Sequence, residues 1–475
     1  MAVTLTEKKL LVEGEWIETG EWHEVRSPFS GEVVARMPRA GAEETRRSVD
    51  GAERAMREPL PAFRRAEILD RVAELLHEHE DELARTICME AGKPMKAARV
   101  EAQRAVSTFT MSAVEARTLS GEVVSMSASQ AGLGKVAYTM RLPVGIVGAI
   151  SPFNFPLNLV AHKIAPALAA GCAVVLKPAG QTPVSALLLA ELELEAGLPP
   201  GWLSVVVGPS AEIGDVLVED ERVRMITFTG SSEVGWKIRE RAARKKVSLE
   251  LGNSTPVIVE GDADVEDAAS KVAAHAFSFA GQSCISVQRV YVSRQVYDDF
   301  VAKLLPKVEA LKAADPSDED TDVGPVIDDD ARERILAWIE EARADGATVL
   351  TGGEADGPVI RPTVLADVRP DMKVSCQEVF GPVCTVSPYD SLEEAFALAN
   401  GTEYGLQAGI FTSNVRSALG AAAKLEFGGV TINEAPTFRA DQMPYGGIKA
   451  SGNTKEGPHY TVREMTEERL VVIAE

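Results

Sequence analysis

Cysteine is scarce. The chain has five, Cys88, Cys172, Cys284, Cys376 and Cys384, an odd number in which no pair has the spacing of a zinc site or a redox couple. That excludes a disulfide-stapled fold, gives no reason to expect a metal, and points to a reducing compartment. Positive charge is also short: 49 Lys and Arg stand against 71 Asp and Glu, a net charge of −22. A surface of that sign repels nucleic acid and anionic membranes at long range, so neither is expected as a partner. An anionic substrate has to be met by a local positive pocket. No apolar run reaches the ~18 residues of a membrane-spanning helix. The opening MAVTLTEKKLLVEGEW has no apolar core of signal-peptide length, so a cytoplasmic location is expected. There is no convincing internal repeat and no low-complexity linker.

What the chain does have is material for a large core, 45% apolar residues against 25% charged. Its 475 residues fit two or three domains. Residues 43–116 are rich in Ala, Glu, Arg and Leu, and RRAEILDRVAELLHEHEDELARTICMEAG has helical periodicity ending near a glycine. SGEVVSMSAS and GKVAYTMRLPVG read as two strands of an extended hairpin. From about residue 143, short apolar runs alternate with helices: VGIVGAIS, GCAVVLKP, WLSVVVG, RMITFTG and VSLELG. A second series follows, with PVIVE, RVYVSR, ATVLTGG and GVTIN, and TEERLVVIAE reads as a last strand. Buried strands alternating with helices predict a parallel sheet in an α/β fold. Ligands in such sheets bind at the carboxyl ends of the strands. The PSDEDTD run near 316 reads as a solvated loop.

Several strand ends carry candidate chemistry. In SPFNFP, two prolines hold extended backbone and fix Asn154, whose amide can stabilise an oxyanion or simply brace a turn. Lys177 closes a buried strand before a proline; it can meet an anion or ribose, or snorkel to solvent. Gly230, Ser231 and Ser232 open a helix whose free N–H groups can hold a phosphate, or Ser231 can be an ordinary cap. Glu250, between Leu249 and Leu251, is a raised-pKa base or a salt-bridged strand end. CQEVFGPV supplies Glu378 and Phe380, and MPYGGIKASG supplies a glycine-rich turn with Tyr445. Cys284 sits among small residues in FAGQSCISVQRV, as a packing thiol or as a nucleophile that a substrate can reach.

In this order, SPFNFP, VVLKPA, FTGS, LELG, GQSC, EVFGP and PYGGIKASG resemble the aldehyde dehydrogenase superfamily over nearly the whole chain. The resemblance implies NAD or NADP as cofactor and Cys284 as nucleophile, with Gly281 and Gln282 forming its approach loop. It makes Asn154 and the Cys284 N–H the oxyanion donors and Glu250 the base that hydrolyses a thioester. Lys177, Ser231 and Glu378 would hold the cofactor's adenosine ribose, pyrophosphate and nicotinamide ribose. Ser151, Phe153, Gly180, Gly214, Gly230, Gly252 and Phe380 would complete that site. The other four cysteines match no functional position and read as packing thiols. The implied architecture is an α/β fold with a Rossmann-like cofactor domain at 1–117 and 139–249. A catalytic domain would span 250–450, and an oligomerisation element 118–138 and 451–475. A homodimer or homotetramer follows, because the hairpin is not stable alone.

Three departures stand out. Gly180 occupies the place where NAD-preferring relatives usually carry a glutamate that grips the ribose, so NADP should at least be accepted. Asn253 replaces a glycine, and asparagine tolerates positive φ best among the other residues. SGNTKEG replaces the usual SGLGREG and should alter a loop. NEAPTFRADQMPYGG resembles relatives acting on lactaldehyde, glyceraldehyde-3-phosphate and small phosphonate or sulfonate aldehydes. There Arg439 and Arg104 would bind an anionic substrate, with His162 at the funnel and Ser283 beside the nucleophile. The competing readings are structural salt bridges for both arginines, a broad-specificity or succinic semialdehyde dehydrogenase, and a CoA-acylating relative. Glu250 argues against the last.

Overall fold

The computed structural model describes residues 5–474. The first sheet has seven strands in the order Lys246–Glu250, Val223–Thr229, Ile146–Ile150, Val174–Lys177, Leu203–Val205, Leu10–Val12 and Glu15–Ile17. The first five are parallel, as their apolar runs predict. The N-terminal pair, which the sequence does not announce, joins antiparallel through Leu11 and Val205. From the Ile146–Ile150 strand the chain winds first to one side and then returns to the other. The reversal opens a crevice between the carboxyl ends at Ile150 and Thr229.

The second sheet runs Thr348–Thr351, Thr363–Ala366, Val383–Tyr389, Val287–Ser293, Thr255–Val259, Gln407–Phe411 and Gly429–Ile432. Its strands are parallel except at one edge. ATVLTGG is that edge: it pairs antiparallel with Thr363–Ala366 and so departs from the expected parallel series. Each sheet has its own buried apolar cluster. A third, three-stranded sheet pairs Lys135–Pro143 with both Val123–Val124 and Thr466–Ala474. The expected hairpin is lopsided. Its first arm is two residues long, because the Ser-, Ala- and Gly-rich stretch after it has little strand preference and folds into two 3₁₀ turns.

The helix Glu80–Ala91 stops where Gly92 takes the left-handed conformation that the sequence suggested. The helix Asn158–Ala170 is buried along its whole length. Residues 451–453, at the start of the segment assigned from sequence to the outer element, lie against the Glu250 strand and its end. Leu251 N donates to Ser451 O, Leu249 N to Asn453 Oδ1, and Ser451 Oγ to Gly252 O. Asn453, one of the residues that makes SGNTKEG unusual, is thus a tie between that loop and the strand. Asn253 does not use positive φ. Its side chain is buried, with Nδ2 donating to Thr255 Oγ1 and Gln407 O.

Candidate active site

Cys284 follows a tight left-handed run in which Phe279, Ala280 and Gly281 have φ of 48°, 52° and 70°. Such backbone is costly for the two non-glycine residues and marks a position held by its surroundings. A Cβ on Gly281 would run into the Gly381 carbonyl. Gln282 fixes the loop from beneath, with Nε2 donating to Phe279 O and Pro325 O and Oε1 accepting from Ile327 N. Asn154 Nδ2 donates to the Gln282 carbonyl at 2.9 Å, which leaves its second amide hydrogen for a ligand. The Cys284 sulfur lies 2.8 Å from the Tyr445 hydroxyl. Burial pushes its thiol up to about 12, with help from the charges of Glu378 and Glu250 and against the Tyr445 hydrogen bond.

Glu250 ends its strand buried, and neither carboxylate oxygen has a hydrogen-bond partner among the described residues. Burial raises its pKa well above the ordinary range; the charge of Glu456 adds to this, while Arg439, Lys163 and Lys455 oppose it. The salt-bridged alternative does not hold for this glutamate. Lys163 is buried nearby and donates to Thr227 Oγ1 and Thr229 Oγ1, with Glu456 Oε1 at 3.9 Å.

A groove of about 460 Å³ runs over the crevice and is lined by Phe153, Gly230, Ser231, Gly252, Glu378, Phe380, Gln181 and Ser210 at its walls and by Cys284 and Glu250 at its inner end. Its features fit a dinucleotide. A Cβ on Gly252 would strike the Glu378 carboxylate. Ser231 sits at the N-cap of the helix Ser232–Arg241 without making a capping bond, so the cap reading fails and the helix start is free. Ser151 and Lys177 close strands next to the groove without forming its lining, and the Ser151 hydroxyl is buried with no partner among the described residues. Lys177 does not snorkel: it is buried, its Nζ reaches only Pro178 O, and desolvation brings its pKa down to about 8. Burial, offset by the Asn253 N–H and Arg334, pushes Glu378 up to about 7. Phe153 and Phe380 meet edge to face at 5.7 Å.

Gly180 lies outside the groove, on an adjoining cavity that shares Gln181 and Ser210 with it. There His23 Nε2 is 2.7 Å from the Gly180 carbonyl. Gly214 is not brought to the groove. It sits a turn further along the helix Ser210–Glu219, facing open space.

A second cavity of about 260 Å³ meets the groove at Cys284, Glu250, Leu159 and Thr229. Arg104, Arg439 and Ser283 line it. Both arginines are ion-paired, Arg104 with Asp441 at 2.8 Å and Arg439 with Glu456 at 2.6 Å. Each nevertheless keeps a buried Nε–H with no partner among the described residues. His162 is not in the funnel. It is fully buried behind the wall, because its ring is drawn to Asp441 Oδ1 at 3.0 Å, with Thr108 and Arg439 around it. Burial and the Arg439 charge lower its pKa, against the charges of Glu456 and Asp441. The Asp441 carboxyl, despite burial, is held well below its usual range by His162 and Arg104.

Residues 16–471 match the model of the aldehyde dehydrogenase family. The chain belongs to that family. It is 46% identical over 464 residues to the 3-sulfolactaldehyde dehydrogenase of Priestia aryabhattai, covering 98% of this chain and 97% of that one. It is 38% identical over 471 residues to the lactaldehyde dehydrogenase of Methanocaldococcus jannaschii, covering 98% and 100%. The NADP-dependent glyceraldehyde-3-phosphate dehydrogenase from Bacillus halodurans C-125, solved with NADP, superposes with a TM-score of 0.96 at 38% identity, over 98% and 99% of the two chains. The protein is therefore an aldehyde dehydrogenase of the NAD(P)-dependent kind.

In this aldehyde dehydrogenase, sequence reading missed Lys163 and Glu456 near Glu250, and Asp441 behind Arg104; it named Tyr445 only as an aromatic in a glycine-rich turn, without its contact to Cys284. The buried Lys163, one residue after His162 on an otherwise apolar helix, is the one signal that was there to read.

Proposed function

We propose that the enzyme oxidises a small, hydroxylated, anionic aldehyde to its carboxylic acid by a hydrolytic route. One observation carries the reading: two cavities of different character meet at the Cys284 sulfur and the Glu250 carboxylate. The larger has the lining of a dinucleotide site. The smaller has room for a short substrate and is lined by Arg104 and Arg439, two cations suited to an anionic group. Relatives named for 3-sulfolactaldehyde and glyceraldehyde-3-phosphate carry an anionic group on a short aldehyde, which fits those groups.

The Cys284 sulfur adds to the aldehyde carbon, and the carbonyl oxygen takes the electron pair within reach of the free Asn154 amide hydrogen and the Cys284 N–H. Bound NAD(P) supplies the acceptor for the hydride whose loss turns the thiohemiacetal into a thioester. Glu250 then takes a proton from water as its oxygen joins the acyl carbon, and the acid leaves as the carbon–sulfur bond breaks. Lys177, Ser151, Phe153, Ser231, Gly230, Gly252, Glu378 and Phe380 hold the cofactor. The missing carboxylate at Gly180 lets NADP in beside His23. Arg104 and Arg439 hold the substrate's anion next to Ser283, and His162 positions Arg104 through Asp441. The cofactor unit comprises 1–117 and 139–249 and the catalytic unit 250–450, in line with the two separate apolar clusters. The third sheet serves self-association, and five free cysteines suit the cytoplasm.

The test is initial rates of reduced-cofactor formation with NAD and with NADP, without CoA, on lactaldehyde, glyceraldehyde-3-phosphate, phosphonoacetaldehyde, succinic semialdehyde and a neutral aliphatic aldehyde. Cys284→Ala abolishes every rate. Arg104→Ala raises KM for the preferred anionic aldehyde about tenfold or more and leaves the neutral one unchanged. Equal effects on both would make Arg104 structural and the enzyme a generalist.

A further inference from the structure

We propose that the Tyr445 hydroxyl is the hydrogen-bond donor that holds the Cys284 sulfur as a thiolate before attack and receives it again when the thioester breaks. The inference rests on the nucleophilic role given to Cys284 above. The two atoms are 2.8 Å apart, and no other hydrogen bond reaches the sulfur among the described residues. Between a thiol and a phenol either group can donate. A thiolate has no proton, so once the sulfur is charged only the phenol can.

The surroundings make that donor necessary. Cys284 stands near two carboxylates, Glu250 and Glu378, and within hydrogen-bond reach of no Lys, Arg or His. The Arg439 charge favours the thiolate from a distance, and the Tyr445 hydrogen bond is the largest influence in its favour. They also make the donor rigid. Tyr445 is 3% exposed and packs with Ile285, Leu406 and the cysteine itself. Its backbone is paired in both directions with Glu456. The Arg439 guanidinium lies 3.9 Å from the ring centroid. A cation over the ring face draws electron density from the phenol and strengthens its O–H as a donor. Arg439 is itself held by Glu456 at 2.6 Å. The substrate-binding arginine and the nucleophile are thus joined through one aromatic ring.

When the sulfur ionises, the thiol proton leaves to solvent water, and Tyr445 keeps its own proton throughout. In the attack, a sulfur lone pair forms the bond to carbon and the carbonyl π pair moves to oxygen; the phenol loses its charged acceptor. In hydrolysis, water oxygen bonds to the acyl carbon, its proton goes to Glu250, and the carbon–sulfur pair returns to sulfur, where the phenol donates again.

The experiment uses Tyr445→Phe, which keeps the ring and its packing. Alkylation of Cys284 by iodoacetamide is followed across pH, without aldehyde or cofactor, by mass spectrometry of the Cys284 peptide. The midpoint moves up by about one pH unit and labelling near neutrality slows about tenfold, while kcat falls with KM little changed. A midpoint unchanged from wild type overturns the proposal and leaves Tyr445 as packing. Should Tyr445→Phe fail to fold, fluorotyrosine at position 445 provides the second arm. Its more acidic phenol lowers the midpoint, and an unmoved midpoint again overturns the proposal. Because the readout needs no substrate, it separates this inference from the proposed function. A shifted midpoint without turnover counts against the function; turnover with an unmoved midpoint counts against Tyr445.

Discussion

Glu250 has two bare carboxylate oxygens in a buried place, and burial with the neighbouring Glu456 charge keeps its proton on to unusually high pH. A base works only when ionised. Hydrolysis of the thioester therefore rises with pH along a limb lying above the ordinary carboxylate range. Glu250→Gln removes that limb. Stopped-flow absorbance should show one rapid equivalent of reduced cofactor and then a steady state slower by about a hundredfold or more. Full turnover with the wild-type pH limb would take the base role away from Glu250. This residue was legible because a polar side chain closing an apolar run stands out, as do Lys177 and Asn154. Tyr445 was not. Its partner is 161 positions away, and a tyrosine in a glycine-rich turn looks the same whether it packs or donates.

Parallel strands were legible as elements because burial on both faces writes a nearly unbroken apolar run, as in Val174–Lys177. Shorter strands such as Leu10–Val12 leave too brief a run, and only their pairing with Leu203–Val205 defines them. The direction of Thr348–Thr351 is likewise set by its neighbour. Helices hide their anomalies in the same way. Val184–Glu195 reads as a good apolar helix, yet Glu193 on it is fully buried, and neither of its oxygens has a partner among the described residues. Burial pushes that carboxyl up to about 8. The folded chain then holds a proton that the unfolded chain has already lost. Stability falls as pH rises from the ordinary glutamate range to about 8, by on the order of 4 kcal/mol in all. Glu193→Gln should match wild type in acid and exceed it in alkali, seen as a higher urea midpoint at about pH 9 than wild type but not at about pH 5. Parallel pH profiles for the two proteins would mean that Glu193 finds a partner in solution.

At the scale of the molecule, the third sheet is the part that the chain does not complete. Lys135–Pro143 and Thr466–Ala474 pair along nine residues, but the ribbon leaves apolar side chains outside: Val123 is 85% exposed, Val136 54%, Leu470 57% and Ile473 53%. A ribbon of this size, with so much apolar surface exposed, has no core of its own to hold it. The net charge of −22 keeps separate copies apart at long range. An apolar ribbon on so acidic a molecule is consistent with short-range burial against a second copy, where area rather than charge supplies the attraction. Leu470 and Val472 project from one face of the last strand. Leu470→Asp with Val472→Asp should reduce the mass found by sedimentation to that of one chain, with Cys284 alkylation unchanged because the site lies elsewhere. A mass that stays that of an assembly would move the interface off this ribbon. A wild-type protein that sediments as a single chain would leave the ribbon's apolar face without the partner proposed for it.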